Sequence, residues 1–268
     1  MSERPQTWHY GLVARWWAEF NEASEDELAF YSGFIEDSGQ PALDAGCGTG
    51  RLLIPLLQAG FDIDGSDLSP DMLAHCREKA QRLGLHPALY DQAMHELDLP
   101  RRYRTIISCG TFGIGGQREH DRAGLRRWYE LLVPGGTLVF DHELPYHDAR
   151  DWPLWLPENR DQLPEPWPES GTRKQAADGD VIELRGRGVD MDPLEQRVTV
   201  QMRATLERAG ERIAEEEHTF RATLYFRNEV LLLLELAGFT DLEVRGGYSE
   251  APATAEDTMV VFIARKQG

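Results

Sequence analysis

LDAGCGTGR, residues 43–51, sets glycines at 46, 48 and 50 directly behind ALDAG, a short apolar segment that follows Pro41. An apolar run of that length bounded by turn residues reads as a buried strand, and RLLIPLLQAG after it reads as a helix closed by Gly60. Pro55 interrupts that helix, because proline lacks an amide donor and clashes with the preceding turn unless it sits near the helix start. A glycine-rich bend between strand and helix lets the sugar and tail of a nucleotide-derived ligand approach the backbone. The spacing is GxGxG, not the GxGxxG of a dinucleotide fingerprint.

Working outward, FDIDGSD reads as a second strand and LSPDMLAHCREKAQRLG as a second helix, with Ser69 as N-cap, Pro70 in the first position and Gly84 at the end. Asp67 closes that strand, 21 residues beyond Gly46. A carboxylate there can accept both hydroxyls of an adenosine ribose seated over the first strand. HPALYDQ and RTIISCG continue as strands, RAGLRRWYELLVPGG as a helix ending in Pro-Gly-Gly, and GTLVFDHEL as a fifth strand. YFRNEVLLLLELAGF then gives a last helix, and DLEVRGG and TMVVFIARK two final strands. Strands alternating with crossover helices imply a doubly wound parallel α/β sheet.

Two segments stand outside that rhythm. Residues 1–40 predict a helical cap, with a break at Asn21-Glu22-Ala23-Ser24. Residues 147–223 predict an extended Pro/Trp-rich loop and then an antiparallel meander turning at Asp192-Pro193 and Ala209-Gly210. The core is expected over 41–146 and 224–268, and the insert, which follows the fifth strand, is expected to wall a substrate pocket. Its Trp152, Trp155 and Trp167 serve either to bind a cationic amine or to anchor the loop. Glu215-Glu216-Glu217 reads as a solvated strand end or turn.

The 28 basic and 46 acidic residues give a formal net charge of -18, which repels a phosphate backbone and argues against a nucleic acid acceptor. MSERPQTWHY has no apolar core of signal-peptide length, and no stretch approaches a membrane span. The chain reads as cytoplasmic, with no membrane partner. Cys47, Cys76 and Cys109 are widely spaced, so reduced thiols are expected; Pro145 spoils any helical alignment of His142 with His147, so no metal site is assigned. The oligomeric state is left open, a homodimer being one option.

LDAGCGTGR, GSDLSPDML and LLVPGGTLV resemble motif I, the acidic second-strand motif and the Pro-Gly-Gly turn of class I S-adenosylmethionine-dependent methyltransferases. The resemblance covers residues 41–144 and, more loosely, 224–268. Within that family the chain is similar to the small-molecule branch, notably the sugar N-methyltransferases, where an antiparallel insert also precedes the last helix. It implies a Rossmann-like seven-stranded sheet, S-adenosyl-L-methionine as cofactor and a small-molecule acceptor. Asp44 and the bend Gly46, Cys47, Gly48 and Gly50 would face the methionyl part, and Asp67, Leu68 and Met72 the ribose and adenine edge. Where the family commonly carries Gly-Asp-Met to read the adenine amine, this chain has Gln92-Ala93-Met94, leaving backbone groups, Gln92 or Asp91 as substitutes. SCGTFG, residues 108–113, would bring Cys109 beneath the reactive methyl; Ser108, Thr111 and Phe112 there serve either the site or the core. Absence of NPPY and DPPF argues against amide and nucleobase acceptors.

A sulfonium methyl is already activated, so alignment dominates and a general base helps by ~100-fold or more. Glu143, His142 and Tyr146 after the fifth strand are the candidate bases, with Tyr10 and His120 behind them. A nicotinamide-dependent oxidoreductase and a non-catalytic cofactor-binding partner subunit are the rival readings.

Overall fold

The computed structural model describes residues 7–149 and 152–268. The first six residues of the start segment and two at the head of the Pro/Trp-rich stretch lie outside them. The chain forms two compact units, residues 22–112, 118–147 and 225–268 in one, and 7–21, 113–117 and 148–224 (less 150–151) in the other.

The larger unit is the α/β core. It comprises α2 (Glu25–Ser38), β1 (Ala42–Ala45), α3 (Leu53–Gln58), β2 (Ile63–Asp67), α4 (Pro70–Arg82), β3 (Leu89–Asp91), β4 (Tyr103–Ser108), α5 (Arg118–Leu131), β5 (Leu132–Glu143), α6 (Arg227–Ala237), β10 (Asp241–Gly246) and β11 (Met259–Arg265). Seven strands run in the order β10-β11-β5-β4-β1-β2-β3. β1 to β5 pair in parallel, whereas β11 enters antiparallel between β5 and β10. Side-chain alternation splits the core between the two faces. Leu43, Ile106, Leu138, Phe140 and Phe262 pack under Trp128 of α5 and Leu234 of α6, while Ile107, Val139, Val261 and Ile263 pack under Tyr31, Leu53 and Leu73 of α2, α3 and α4.

Local chemistry explains the helix limits. Pro55 falls in the first turn of α3, where no amide donor is needed, so the helix is short rather than kinked. Ser69 caps α4 through the Met72 amide at 3.2 Å, with Pro70 at the first position. One expectation is corrected: α5 stops at Leu131, not at Pro-Gly-Gly. Val133 precedes a proline and is steered out of the helical region, so the chain enters β5 at Leu132. Pro134, Gly135 and Gly136 then form an irregularity within that strand, because Tyr103 pairs with Leu132 but Thr105 with Thr137.

The smaller unit holds α1 (Gly11–Phe20) and a four-stranded antiparallel sheet of β6 (Thr172–Gln175), β7 (Val181–Asp192), β8 (Arg197–Arg208) and β9 (Glu211–Thr223). Leu12 and Val13 of α1 pack on Ile182, Ala204 and Leu206, so the two N-terminal helices belong to different units. Ala209 and Gly210, both at positive φ, make the two-residue β8–β9 turn. The stretch before β6 is not simply extended. It forms 3-10 turns at Trp152–Trp155 and Pro157–Gln162, held by Arg160 donating to the carbonyls of Leu154 and Trp155. Trp167 lies between the guanidinium groups of Arg187 and Arg203, at 4.5 and 4.1 Å, and Trp155 packs on the Leu154 and Met191 cluster. Both tryptophans thus anchor the loop. Glu215, Glu216 and Glu217 sit inside β9 and not at a strand end; Glu216 accepts the Leu12 amide at 2.8 Å and Glu217 pairs with Arg203.

Phe140 is fully buried, with Phe112, Trp128 and Phe262 rings at 5.2, 5.8 and 5.3 Å. Phe140→Ala is expected to destabilise the core by about 3–5 kcal/mol in urea unfolding, the usual cost of a large aromatic cavity; a loss below about 1 kcal/mol would mean that the sheet face is packed differently.

Candidate active site

The glycine bend leaves β1 as two amides, those of Gly46 and Cys47, donate to the single carbonyl of Ser66 on β2, at 2.7 and 2.9 Å. Gly46 has φ +85°, and a Cβ there would collide with the Thr111 side chain. Gly48 has φ +54°, and a Cβ on it would crowd Met72 of α4 at 3.1 Å. Glycine is therefore demanded both by backbone sign and by space. Cys47 turns its thiol into the core beside Gly65, with the Gly48 carbonyl at 4.0 Å.

Asp67 ties the bend to the next element. One carboxylate oxygen accepts the Gly48 amide at 2.9 Å and the other the Ser69 amide at 2.8 Å, which leaves half of its acceptor capacity for a ligand. Burial pushes its pKa up to about 6, against the opposing pull of those two amides. Asp44, wholly enclosed, is pushed up to about 7 by burial, with Arg51 pulling the other way and Asp67 adding to the rise. Leu68 is half-buried and Met72 buried beside them.

At the β3 end, the Gln92 amide bonds the Asp67 carbonyl at 3.1 Å, but the Gln92 side-chain oxygen is taken by the Asp98 amide at 2.8 Å. Of the three substitutes for an adenine reader, the Gln92 side chain is turned to the Asp98 amide, and Asp91 is exposed. Ala93 is buried, and Met94 fits the notch left by Gly124 of α5.

A buried polar cluster closes the β4 and β5 ends. Arg51 donates to Glu27 at 2.5 Å and to the Cys109 thiol at 2.9 Å. Cys109 in turn approaches Glu27 and Asp141, each at 3.1 Å, and Tyr248 donates to Asp141 at 2.5 Å. Gly110 offers its amide to the same Asp141 carboxylate at 2.5 Å. Burial raises Glu27, but the Arg51 guanidinium and the Cys109 thiol outweigh it and hold the carboxyl below its usual range. Burial first, and then Asp141, push the Cys109 thiol far up, so it stays protonated. Sequence reasoning passed over Glu27, Asp141 and Tyr248. Asp141 could have been noticed as a charge directly after the apolar run TLVF; Tyr248 carries no local signal.

The candidate bases do not gather into one constellation. His142 and Glu143 project to opposite faces of β5. His142 is buried against Phe112 and donates Nε2 to the Tyr225 carbonyl at 2.9 Å; burial lowers its basicity, so it is neutral. Glu143 is exposed, 3.4 Å from His147, and Tyr146 packs half-buried on the α5 and α6 core. Tyr10 lies near His218 in the smaller unit, and His120 stacks on His95 at 3.7 Å. Ser108 bonds the Ala45 carbonyl at 2.7 Å and Thr111, and Phe112 is buried, so these three serve the core around the bend.

Residues 42–136 match the methyltransferase domain family. A methyltransferase-family protein of Geobacillus sp. (strain WCH70) is 26% identical over 96% of this chain and 99% of its own length. The dTDP-3-amino-3,6-dideoxy-alpha-D-glucopyranose N,N-dimethyltransferase of Streptomyces fradiae is 33% identical, but the alignment spans 44% of this chain and 40% of that protein. An S-adenosylmethionine-dependent methyltransferase from Clostridium acetobutylicum shares the fold, with a TM-score of 0.69 at 17% identity over 92% of this chain and 94% of that one. The chain carries a methyltransferase domain over residues 42–136 and shares the fold of S-adenosylmethionine-dependent methyltransferases.

The residues of this methyltransferase fit the cofactor. Glu27, Asp44, Asp67 and Asp141 set four carboxylates against the single Arg51 guanidinium around a bend that a Cβ would block. Such a field favours a sulfonium and an ammonium and disfavours the pyrophosphate of a nicotinamide dinucleotide. Among the described residues no helix is long and apolar enough to cross a membrane.

A raised carboxyl pKa has a consequence of definite sign. The folded protein holds protons on Asp44 and Asp67 that the unfolded chain releases, so their effect on stability is absent at low pH and becomes destabilising as pH rises from 3.8 toward about 7. A cationic cofactor favours the ionised forms, so S-adenosylmethionine affinity is expected to rise with pH across roughly 5 to 8, with proton release. Asp44→Asn is expected to flatten the upper part of that rise. Calorimetric titrations giving one dissociation constant across the range for the wild-type protein would contradict the assignment.

Proposed function

We propose that this enzyme transfers the cofactor methyl to an amine nitrogen of a small polar acceptor. The observation that carries the reading is the ring of carboxylates about the glycine bend, a field that draws an amino compound as well as a sulfonium. The amino-sugar N-methylation named for the Streptomyces fradiae relative supports the same acceptor class.

In this reading, Gly46 to Gly50 receive the methionyl part along their backbone, and Asp67 offers its two remaining acceptor positions to the ribose hydroxyls. S-adenosylmethionine, when bound, supplies an activated methyl, so the protein's task is alignment and exclusion of water. Glu27 and Asp141 hold Arg51 and Cys109 rigid at the β4 end, which keeps the floor of the crevice fixed. Of the three candidate bases, Glu143 alone has an exposed proton-accepting group on the Asp141 face of β5, and we assign it the acceptor's proton.

The test is to incubate the enzyme with S-adenosylmethionine and a panel of small amines, including amino sugars and amino acids, beside hydroxyl and carbon acceptors. S-adenosylhomocysteine and an N-methylated product are expected from at least one amine; turnover confined to oxygen or carbon acceptors would overturn the nitrogen assignment. Asp67→Ala is expected to weaken cofactor binding by ~1.5 to 3 kcal/mol, the scale of hydrogen bonds to a charged group. Glu143→Gln is expected to slow turnover by ~100-fold with cofactor affinity kept; an unchanged rate would remove it from the mechanism.

A further inference from the structure

The face of α5 turned away from the sheet borders a cavity of about 340 Å³ lined by His95, Glu119, Arg122, Arg126, Arg127 and Glu130. Arg127 is neutralised by Glu130 at 3.0 Å. Arg122 and Arg126 stand one helical turn apart, and neither has an ion-pair partner among the described residues. In a chain with 46 acidic residues and a net charge of -18, two guanidiniums without an ion pair at one concavity are a local concentration of positive charge. His95 forms the adjoining wall, held flat against His120 with ring centres at 3.7 Å and planes 8° apart. His120 Nδ1 is buried there without a partner among the described residues.

We propose that this cavity binds a small phosphate ester, separately from the cofactor crevice. Two guanidinium forks at helical spacing match the oxygens of one phosphoryl group. The cavity is larger than a phosphate alone requires, and Glu119 supplies an acceptor for a hydroxyl on the ester's carbon part. Glu119 also disfavours an extended polyphosphate by repulsion.

Calorimetry on enzyme saturated with S-adenosylmethionine, so that the crevice is filled, tests this with inorganic phosphate and glycerol 3-phosphate as probes. Both are expected to bind at low ionic strength, glycerol 3-phosphate more tightly. Arg122→Ala with Arg126→Ala is expected to weaken both by at least about tenfold, the loss of charge-assisted hydrogen bonds. Glu119→Gln is expected to narrow the preference for glycerol 3-phosphate, and Arg82→Ala on α4 to change nothing. Both arginines are exposed, and retained cofactor affinity in the double variant reports its folding. No heat at millimolar probe, equal binding to the double variant, or an equal loss in Arg82→Ala would overturn the proposal.

Discussion

A single carboxylate, Asp67, joins the two turns on which the crevice depends. By accepting the Gly48 amide with one oxygen and the Ser69 amide with the other, it fixes the glycine bend after β1 to the start of α4 after β2. Neighbouring parallel strands bring those turns side by side, and the paired amides of Gly46 and Cys47 on the Ser66 carbonyl complete the clasp. Partial burial makes the charge costly, yet two amide donors keep it tolerable. The carboxylate keeps acceptor positions to spare for a ligand.

The second constraint is electrostatic. Glu27 reaches Arg51 from α2 while also completing a capping box with Ser24, so the helix that covers this end of the sheet is held by the same carboxylate that orients the guanidinium. Asp141 collects a tyrosine hydroxyl, a thiol and a backbone amide, which compensates its burial. One guanidinium among these acids leaves negative potential over the bend. That potential, more than any shape argument, separates a sulfonium cofactor from a dinucleotide.

Much of this was legible in the linear chain because the decisive devices are local. The bend, Ser69 as cap, Pro70 and Asp67 all lie within about one βαβ unit, and their spacing carries the geometry. The parallel pairing of β1 to β5 followed from alternation with crossover helices. What escaped was of two kinds. Pro134 stopped α5 earlier than its apolar periodicity suggested, because restriction of the residue before proline overrode helix propensity. The Glu27, Arg51, Asp141 and Tyr248 cluster joins residues up to 221 positions apart, which no local pattern reveals. Likewise His142 looked like a base beside Glu143, but strand alternation sends it into the core, where its ring serves the Tyr225 carbonyl.

The central claim is that the bend at 46–50 and the carboxylate at 67 together grip an adenosyl sulfonium. A crystal grown with S-adenosylhomocysteine tests it most directly. The account predicts electron density with the ribose hydroxyls on Asp67 and the amino acid tail along Gly46 to Gly50. Nucleoside density elsewhere, or a crevice closed by this chain's own side chains, would contradict it.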